Sequence, residues 1–282
     1  METHIVKIYY PSRGDWIAVE PISDIHVGSK FHVKPKLDEV IERIQNDPLR
    51  YTIIMGDIFD ATLPDHKFYD AETLDPELPT FEEQFEYILQ KLLPIRHKIL
   101  GVLCGNHDER VRIKHGSNIV LRLVRDLNRE YPEHLGIPTL LQPIKYMGYS
   151  GFIRLMFFRK FESGEEHFDS SYEIFVHHGY FTGRRFGGNI NSLEDMSRDN
   201  SADIYLTGHS HNVGSYKRPK TCMDQKGNLS EIVKIFAICG SFLKPYNQGV
   251  TSYAEVKGFP PTRIGTVTVS IDPFNRKLQV HE

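Results

Sequence analysis

Apolar residues along this chain gather into short runs, and several of those runs stop at small clusters of Asp, Asn, His and Gly. Residues 5–10 and 16–22 read as two strands around Pro11-Ser12-Arg13-Gly14, a hairpin pair whose second member leads into Asp24. Helical spacing over 36–44 predicts a helix, while 51–55 and 99–103 are compact apolar runs of the kind that form short buried strands. Between them, Thr80-Phe81-Glu82-Glu83 has the form of a capping box opening an amphipathic helix through Leu92. Residues 117–129 predict a further helix, and beyond it the candidates are strands at 144–147, 152–158, 173–176, 204–206, 232–238, 266–270 and 278–281. The chain contains no internal repeat and no low-complexity tract.

A half that alternates helix and strand, followed by a mostly β half, predicts an α/β molecule with helices packed outside two stacked sheets. At 282 residues and 40% hydrophobic content the chain can bury a sizeable core, and a single domain over 1–282 is expected. The net charge of −3 gives no global electrostatic case for nucleic acid, so an anionic substrate must be held by local groups. Three cysteines are too few for a disulfide framework, and Cys104 and Cys239 sit in apolar runs, which suits a reducing cytoplasm. The start, Met1-Glu2-Thr3-His4, is no basic-then-apolar leader, and no apolar run approaches about 18 residues. These features predict a soluble, cytoplasmic protein without membrane association.

The polar clusters at the run ends carry the chemistry. They are Ser23-Asp24-Ile25-His26, Gly56-Asp57, Gly105-Asn106-His107-Asp108, His177-His178-Gly179 and Gly208-His209-Ser210-His211. If each run is a strand of one buried sheet system, these side chains emerge together at one rim. Two divalent ions held roughly 3.5–4 Å apart need a ligand that reaches both, and a carboxylate does so best. Asp57 is the natural bridge. Asp24, His26 and one histidine of Gly208-His209-Ser210-His211 would complete one ion, and Asn106, His178 and the other histidine the second. Oxygen and imidazole ligands without thiolate favour Mn, with Fe, Zn, Ni or Mg as alternatives. His107 is left over for chemistry.

In this order from Asp24 to His211, the motifs resemble the calcineurin-like metallophosphoesterase superfamily. The resemblance implies a four-layer αββα sandwich of two mixed sheets flanked by helices. It places Asp24, His26, Asp57 and His211 around a first metal, Asp57, Asn106, His178 and His209 around a second, and His107 as the catalytic histidine facing the substrate phosphate. The two ions would activate a water for attack on phosphorus near neutral pH, while His107 would protonate the leaving alkoxide or steady the transition state. Asp60, three residues after Asp57, is expected to orient His107 through its carboxylate. The family pattern sets the ligand directly before Gly179, which selects His178 and leaves His177 as a packed or hydrogen-bonded residue.

Departures from subfamily patterns narrow the expectation. Gly56-Asp57-Ile58-Phe59-Asp60-Ala61 and Ser23-Asp24-Ile25-His26-Val27 differ from the serine/threonine protein phosphatase pattern, and Asp24-x-His26-x-Gly28 with Gly105-Asn106-His107-Asp108 is closer to the bacterial and phage exonuclease and phosphodiesterase branch. The expected function is a binuclear-metal phosphodiesterase acting on nucleic acid or a nucleotide, with a phosphomonoesterase or a non-catalytic interaction module as alternatives. Arg184 and Arg185, between Gly183 and Gly187, are expected to clamp a substrate phosphate, with Tyr180, Phe181 and Phe186 interleaved. Lys217, Arg218 and Lys220 read as solvated charge. Protein partners are not legible.

Overall fold

The computed structural model describes residues 1–61, 69–161, 164–180, 186–223 and 226–282. Its first half runs β1 (Glu2–Tyr9), β2 (Ile17–Val19), α1 (Lys34–Asn46), β3 (Arg50–Ile54), α2 (Phe81–Leu92), β4 (Ile99–Val102), α3 (Asn106–His115) and α4 (Ile119–Leu127). Then follow β5 (Ser150–Lys160), β6 (Glu166–His177), α5 (Phe186–Asp199), β7 (Ile204–Thr207), β8 (Val213–Met223), β9 (Leu229–Cys239), α6 (Tyr253–Lys257), β10 (Thr268–Asp272) and β11 (Lys277–His281).

Two mixed sheets form, one in the order β1-β5-β6-β7-β9-β8 and the other β11-β10-β2-β3-β4. Because side chains alternate across a strand, neighbouring residues report neighbouring layers. In β9, Ile235 and Ala237 join the core between the sheets, with Val6, Ile153 and Val269, while Phe236 and Ile238 face outward against Leu193 and Met196 of α5. In β3, Ile53 points between the sheets and Ile54 outward, toward Leu37, Ile88 and Val120 of α1, α2 and α4. Helices, five strands, six strands and a helix therefore stack as the expected four-layer αββα sandwich.

The helix signals act where they were read. Thr80 and Glu83 exchange hydrogen bonds, Glu83 N–H to Thr80 Oγ1 at 3.3 Å and Thr80 N–H to Glu83 Oε2 at 2.9 Å, and α2 begins there. Pro35 sits in the first turn of α1, where its missing N–H costs nothing.

The expected hairpin does not form. β1 pairs in parallel with β5, whereas β2 lies in the other sheet between β10 and β3. The turn at Pro11–Gly14 thus carries the chain from one layer to the next. Residues 144–147 make only an isolated bridge, Tyr146 to Val102, rather than a strand.

The connectivity fixes where the polar clusters go. Strands β2, β3 and β4 run parallel, as do β6 and β7 in the other sheet. All five motifs therefore leave the carboxyl ends of strands, the rim where open α/β sheets collect ligands. Backbone bonds stitch the loops together: Asp24 N–H to the Gly56 carbonyl at 3.1 Å, His26 N–H to Asp57 at 3.0 Å, and Gly208 N–H to His178 at 2.9 Å.

Candidate metal centre

The backbone at this rim is left-handed. Asp24 (φ 50°), His26 (53°), Asp57 (47°), His209 (65°) and His211 (57°) all have positive φ. Among the described residues only Ala61 and Arg276 share that property outside glycine. Such conformations cost of order 1–3 kcal/mol each and persist where the surroundings impose them. Here each sharp turn delivers a side chain into one space.

The side chains meet in two groups. In the first, His211 Nε2 lies 3.3 Å from Asp24 Oδ1 and 3.2 Å from His26 Nε2. In the second, His178 Nε2 lies 3.3 Å from both Asp57 Oδ2 and Asn106 Oδ1, and His209 completes the group. Asp57 Oδ2 also stands 4.0 Å from His26 Nε2, so this oxygen lies between the groups.

The other atom of each of four side chains is tied back. Asp24 Oδ2 accepts from Ser23 Oγ and from His209 N–H at 2.9 Å, and Asp57 Oδ1 accepts from His107 N–H at 2.8 Å. His178 Nδ1 donates to the Met55 carbonyl at 2.8 Å, and His26 Nδ1 to Asp60 Oδ1 at 3.3 Å. Such outer partners fix the tautomer and turn Nε2 toward the shared space. His209 Nδ1 is buried with no hydrogen-bond partner among the described residues, and buried Asp24 Oδ1 has no nearer partner than the His211 ring at 3.3 Å. A buried carboxylate oxygen left this way is costly unless a cation meets it.

Electrostatics point the same way. Burial alone would raise Asp57, yet facing His178, His107 and His26 holds its carboxyl well below the usual range. Burial likewise opposes charge on His178, but Asp57 and Asp24 outweigh it and lift the imidazole to about 10, and His211 is raised by Asp24 against its burial. The cluster favours positive charge, and a divalent ion supplies it in place of protons. The donor set and the buried Asp24 oxygen fit a divalent-metal site.

Two glycines are required by close approach. A Cβ on Gly105 would fall 2.0 Å from Asp57 Oδ1, and one on Gly208 would fall 2.1 Å from Ser23 Oγ and 2.8 Å from Asp24 Oδ2. They are more than ordinary turn residues.

His107 stands beside the groups, its ring edge-on to His26 at 4.7 Å between centroids. Its Nδ1 donates to the backbone carbonyl of Asp60 at 2.6 Å, whereas the Asp60 carboxylate is 3.9 Å away and nearer to His26. Asp60 thus holds both histidines, His107 through its backbone and His26 through its side chain, a division that corrects the expected carboxylate contact to His107. Asp108 serves the fold: its carboxylate accepts from the N–H groups of Gly105, Phe59 and Ile58, capping α3. His177 accepts from Gly179 N–H at 2.8 Å, as a hydrogen-bonded strand residue should.

These side chains floor a cleft of about 910 Å³. Tyr69, Thr73 and Arg110 line it, and so does a bank formed by the excursion between Ser241 and Gly265, which pair in an antiparallel bridge at its base. That base is fastened to the floor, since Phe242 N–H and Ser241 Oγ both donate to the Asp24 carbonyl, at 3.0 and 3.1 Å.

Residues 22–213 match the model of the calcineurin-like phosphoesterases. The chain belongs to this family. A curated relative, the DNA polymerase II small subunit of Thermoplasma acidophilum, is 28% identical over 221 residues, covering 71% of this chain and 43% of the relative. The chain therefore spans less than half the length of that protein. Among solved structures, Vps29 of Entamoeba histolytica complexed with zinc aligns over 94% of this chain and 97% of its own, at 13% identity and a TM-score of 0.39. A metallophosphoesterase from Sphaerobacter thermophilus aligns over 94% and 87%, at 13% identity and a TM-score of 0.37.

Membership in the calcineurin-like family makes this a metal-dependent phosphoesterase fold with a divalent-metal site, and the five motifs lie within the matched span. None of the described helices is long and apolar enough to cross a membrane. Arg184, Arg185 and Phe181 lie outside the described residues. Tyr180 packs edge-on against His177, and the Phe186 ring covers Gly214, so neither lines the cleft. Arg218 pairs with Glu194 at 2.8 Å on the surface, as solvated charge does. Arg110, Tyr69, Thr73 and the bank at 243–262 are among the cleft residues that lie outside the motifs. Arg110 sits one turn into a helix that starts inside a motif, and it alone had a sequence signal.

Proposed function

We propose that the protein is a binuclear-metal phosphodiesterase acting on nucleic acid or a nucleotide. The observation that carries this reading is the pair of ligand groups, Asp24-His26-His211 and Asp57-His178-His209, with Asp57 Oδ2 reaching to 4.0 Å of His26 Nε2, beside a cleft far larger than a phosphate. In it, Asp24, His26, Asp57 and His211 hold one ion and Asp57, Asn106, His178 and His209 the other, with manganese the proposed ion and other first-row divalent ions compatible with mixed oxygen and imidazole ligands. When bound, the ions supply Lewis acidity toward the phosphoryl oxygens and bring the pKa of a shared water near neutrality.

The chain's own residues do the rest. Asp57 and Asp24 balance the cationic charge, and Met55 and Asp60 keep His178 and His26 in the tautomer that presents Nε2. With Nδ1 donating to the Asp60 carbonyl, the His107 ring has Nε2 left to carry the proton that the leaving oxygen needs. A cleft of about 910 Å³ leaves room for two ester arms, which favours a diester over a monoester. The similarity to a DNA polymerase subunit supports nucleic acid or its components as the substrate class, and the free thiols Cys104, Cys222 and Cys239 support a cytoplasmic setting.

The test is hydrolysis of bis-p-nitrophenyl phosphate against the mono-ester with Mn²⁺, followed by a panel of single-stranded DNA, duplex DNA, RNA and cyclic nucleotides. Faster turnover of the diester is expected. Preference for the mono-ester would make the protein a phosphomonoesterase, and inertness toward both with two ions bound would make it an interaction module.

A further inference from the structure

The bank opposite the metal floor has features that phosphate chemistry alone does not call for. Between residues 243 and 262 it presents Tyr253, Val256 and Phe259 to the cleft, with Lys244 and Lys257 beside them. Tyr253 is 52% exposed and Val256 69%, so this is apolar surface offered to the cleft rather than buried under it. Resting on the phosphodiesterase reading above, we infer that this bank is a nucleobase platform and that Tyr253 is the ring on which a substrate base stacks.

The ring is held in place. Ser252, itself buried, caps α6 by accepting from Glu255 N–H at 3.1 Å, and its hydroxyl donates to the Pro245 carbonyl. The Phe259 ring meets Tyr253 edge-on at 6.1 Å, and Lys257 Nζ stands 5.7 Å from the Tyr253 centroid. A rigid, exposed aromatic side chain with two χ angles binds a flat partner at small entropic cost.

Charge placement matches the same ligand. Lys244 and Lys257 on this bank, with Arg110 elsewhere on the cleft lining, supply cations for an anionic ligand. A nucleotide ester joins these parts: its phosphate on the floor, its sugar spanning the cleft, its base on the wall. A diester lacking a flat ring would leave the platform unused. Stacking on an aromatic side chain is tolerant of base identity, so the platform selects a base-bearing substrate without selecting a sequence.

The experiment compares adenosine 5′-monophosphate with ribose 5-phosphate, which differ only in the base, by calorimetric titration of the protein as purified with its metal. Wild-type protein should bind the nucleotide about 10-fold or more tightly, the scale of one stacked base. Tyr253→Ala should bring the two affinities together, and Tyr253→Phe should keep the preference. Equal affinities in the wild type, or a preference unchanged in a folded Tyr253→Ala, would overturn the platform. The readout is binding, so a base preference without hydrolysis of any diester would uphold the platform while refuting the proposed activity.

Discussion

At the floor of the cleft, Asp24, Asp57, His26 and His178 are each pinned by a second contact and buried almost completely. On the bank at 243–262, Tyr253 and Val256 stand exposed on a five-residue helix capped by Ser252 and braced by the Phe259 ring. The floor is built from buried strand ends, and the bank from a connection whose side chains are more exposed and which joins the rest of the molecule at Phe242, Leu243 and Lys244. Chemistry and selectivity thus sit on parts of the molecule with different tolerance for change.

The largest effect should follow from breaking the floor at its shared atom. Asp57→Asn removes the charge lying between both groups, so both ions should weaken, and activity should fall by more than the roughly 10–100-fold typical of losing an outer partner. Two ions per chain by elemental analysis of that variant would show that Asp57 is no bridge. Next comes His107→Ala, which should lose roughly 10²–10⁴-fold in turnover while metal content stays intact. A substrate with an acidic leaving group should recover part of that loss, and parallel loss of metal would refute its assignment as an acid. Removing an outer partner is milder: Asp60→Ala, which frees His26 Nδ1, should weaken metal binding by roughly 10–100-fold in a competition titration. At the bank, Val256→Ser should shift folding stability by no more than about 0.5 kcal/mol, since so exposed a residue contributes little. A large drop in denaturation midpoint there would mean that the bank is as constrained as the floor.

The same contrast explains what could be read without coordinates. The residues of the floor were legible because each follows an apolar strand, and strand ends on one rim converge whatever the details of packing. Layer assignment was not legible for β1 and β2: nearness in sequence predicts a hairpin, and only the full pairing shows that a short turn can change sheets. Helix α3 escaped because it begins inside the ligand motif and buries only Asp108 and Val111, leaving no apolar stripe. Strand β8 escaped because it is an edge strand, rich in Lys and Arg and broken by Pro219, which edges tolerate. α5 was hidden by the paired Gly187 and Gly188 at its start. The bank at 243–262 has neither period 2 nor period 3.6, so its placement beside the floor rests on pairings far apart in sequence, the Ser241–Gly265 and His32–Leu243 bridges and the Ser241 and Phe242 bonds to the Asp24 carbonyl.

The left-handed backbone at Asp24, His26, Asp57, His209 and His211 bears on how this protein would behave in a laboratory selection. At each of these positions Gly would relieve strain, so the residues that favour folding and the residues that favour chemistry compete for the same sites. Selection for heat resistance alone, run without a demand for turnover, should enrich glycine at these five positions. The result would be a sturdier sandwich with a bare rim. Divergence of that kind needs no change to the core, and it gives a concrete route by which a scaffold could arise from a hydrolase on this fold.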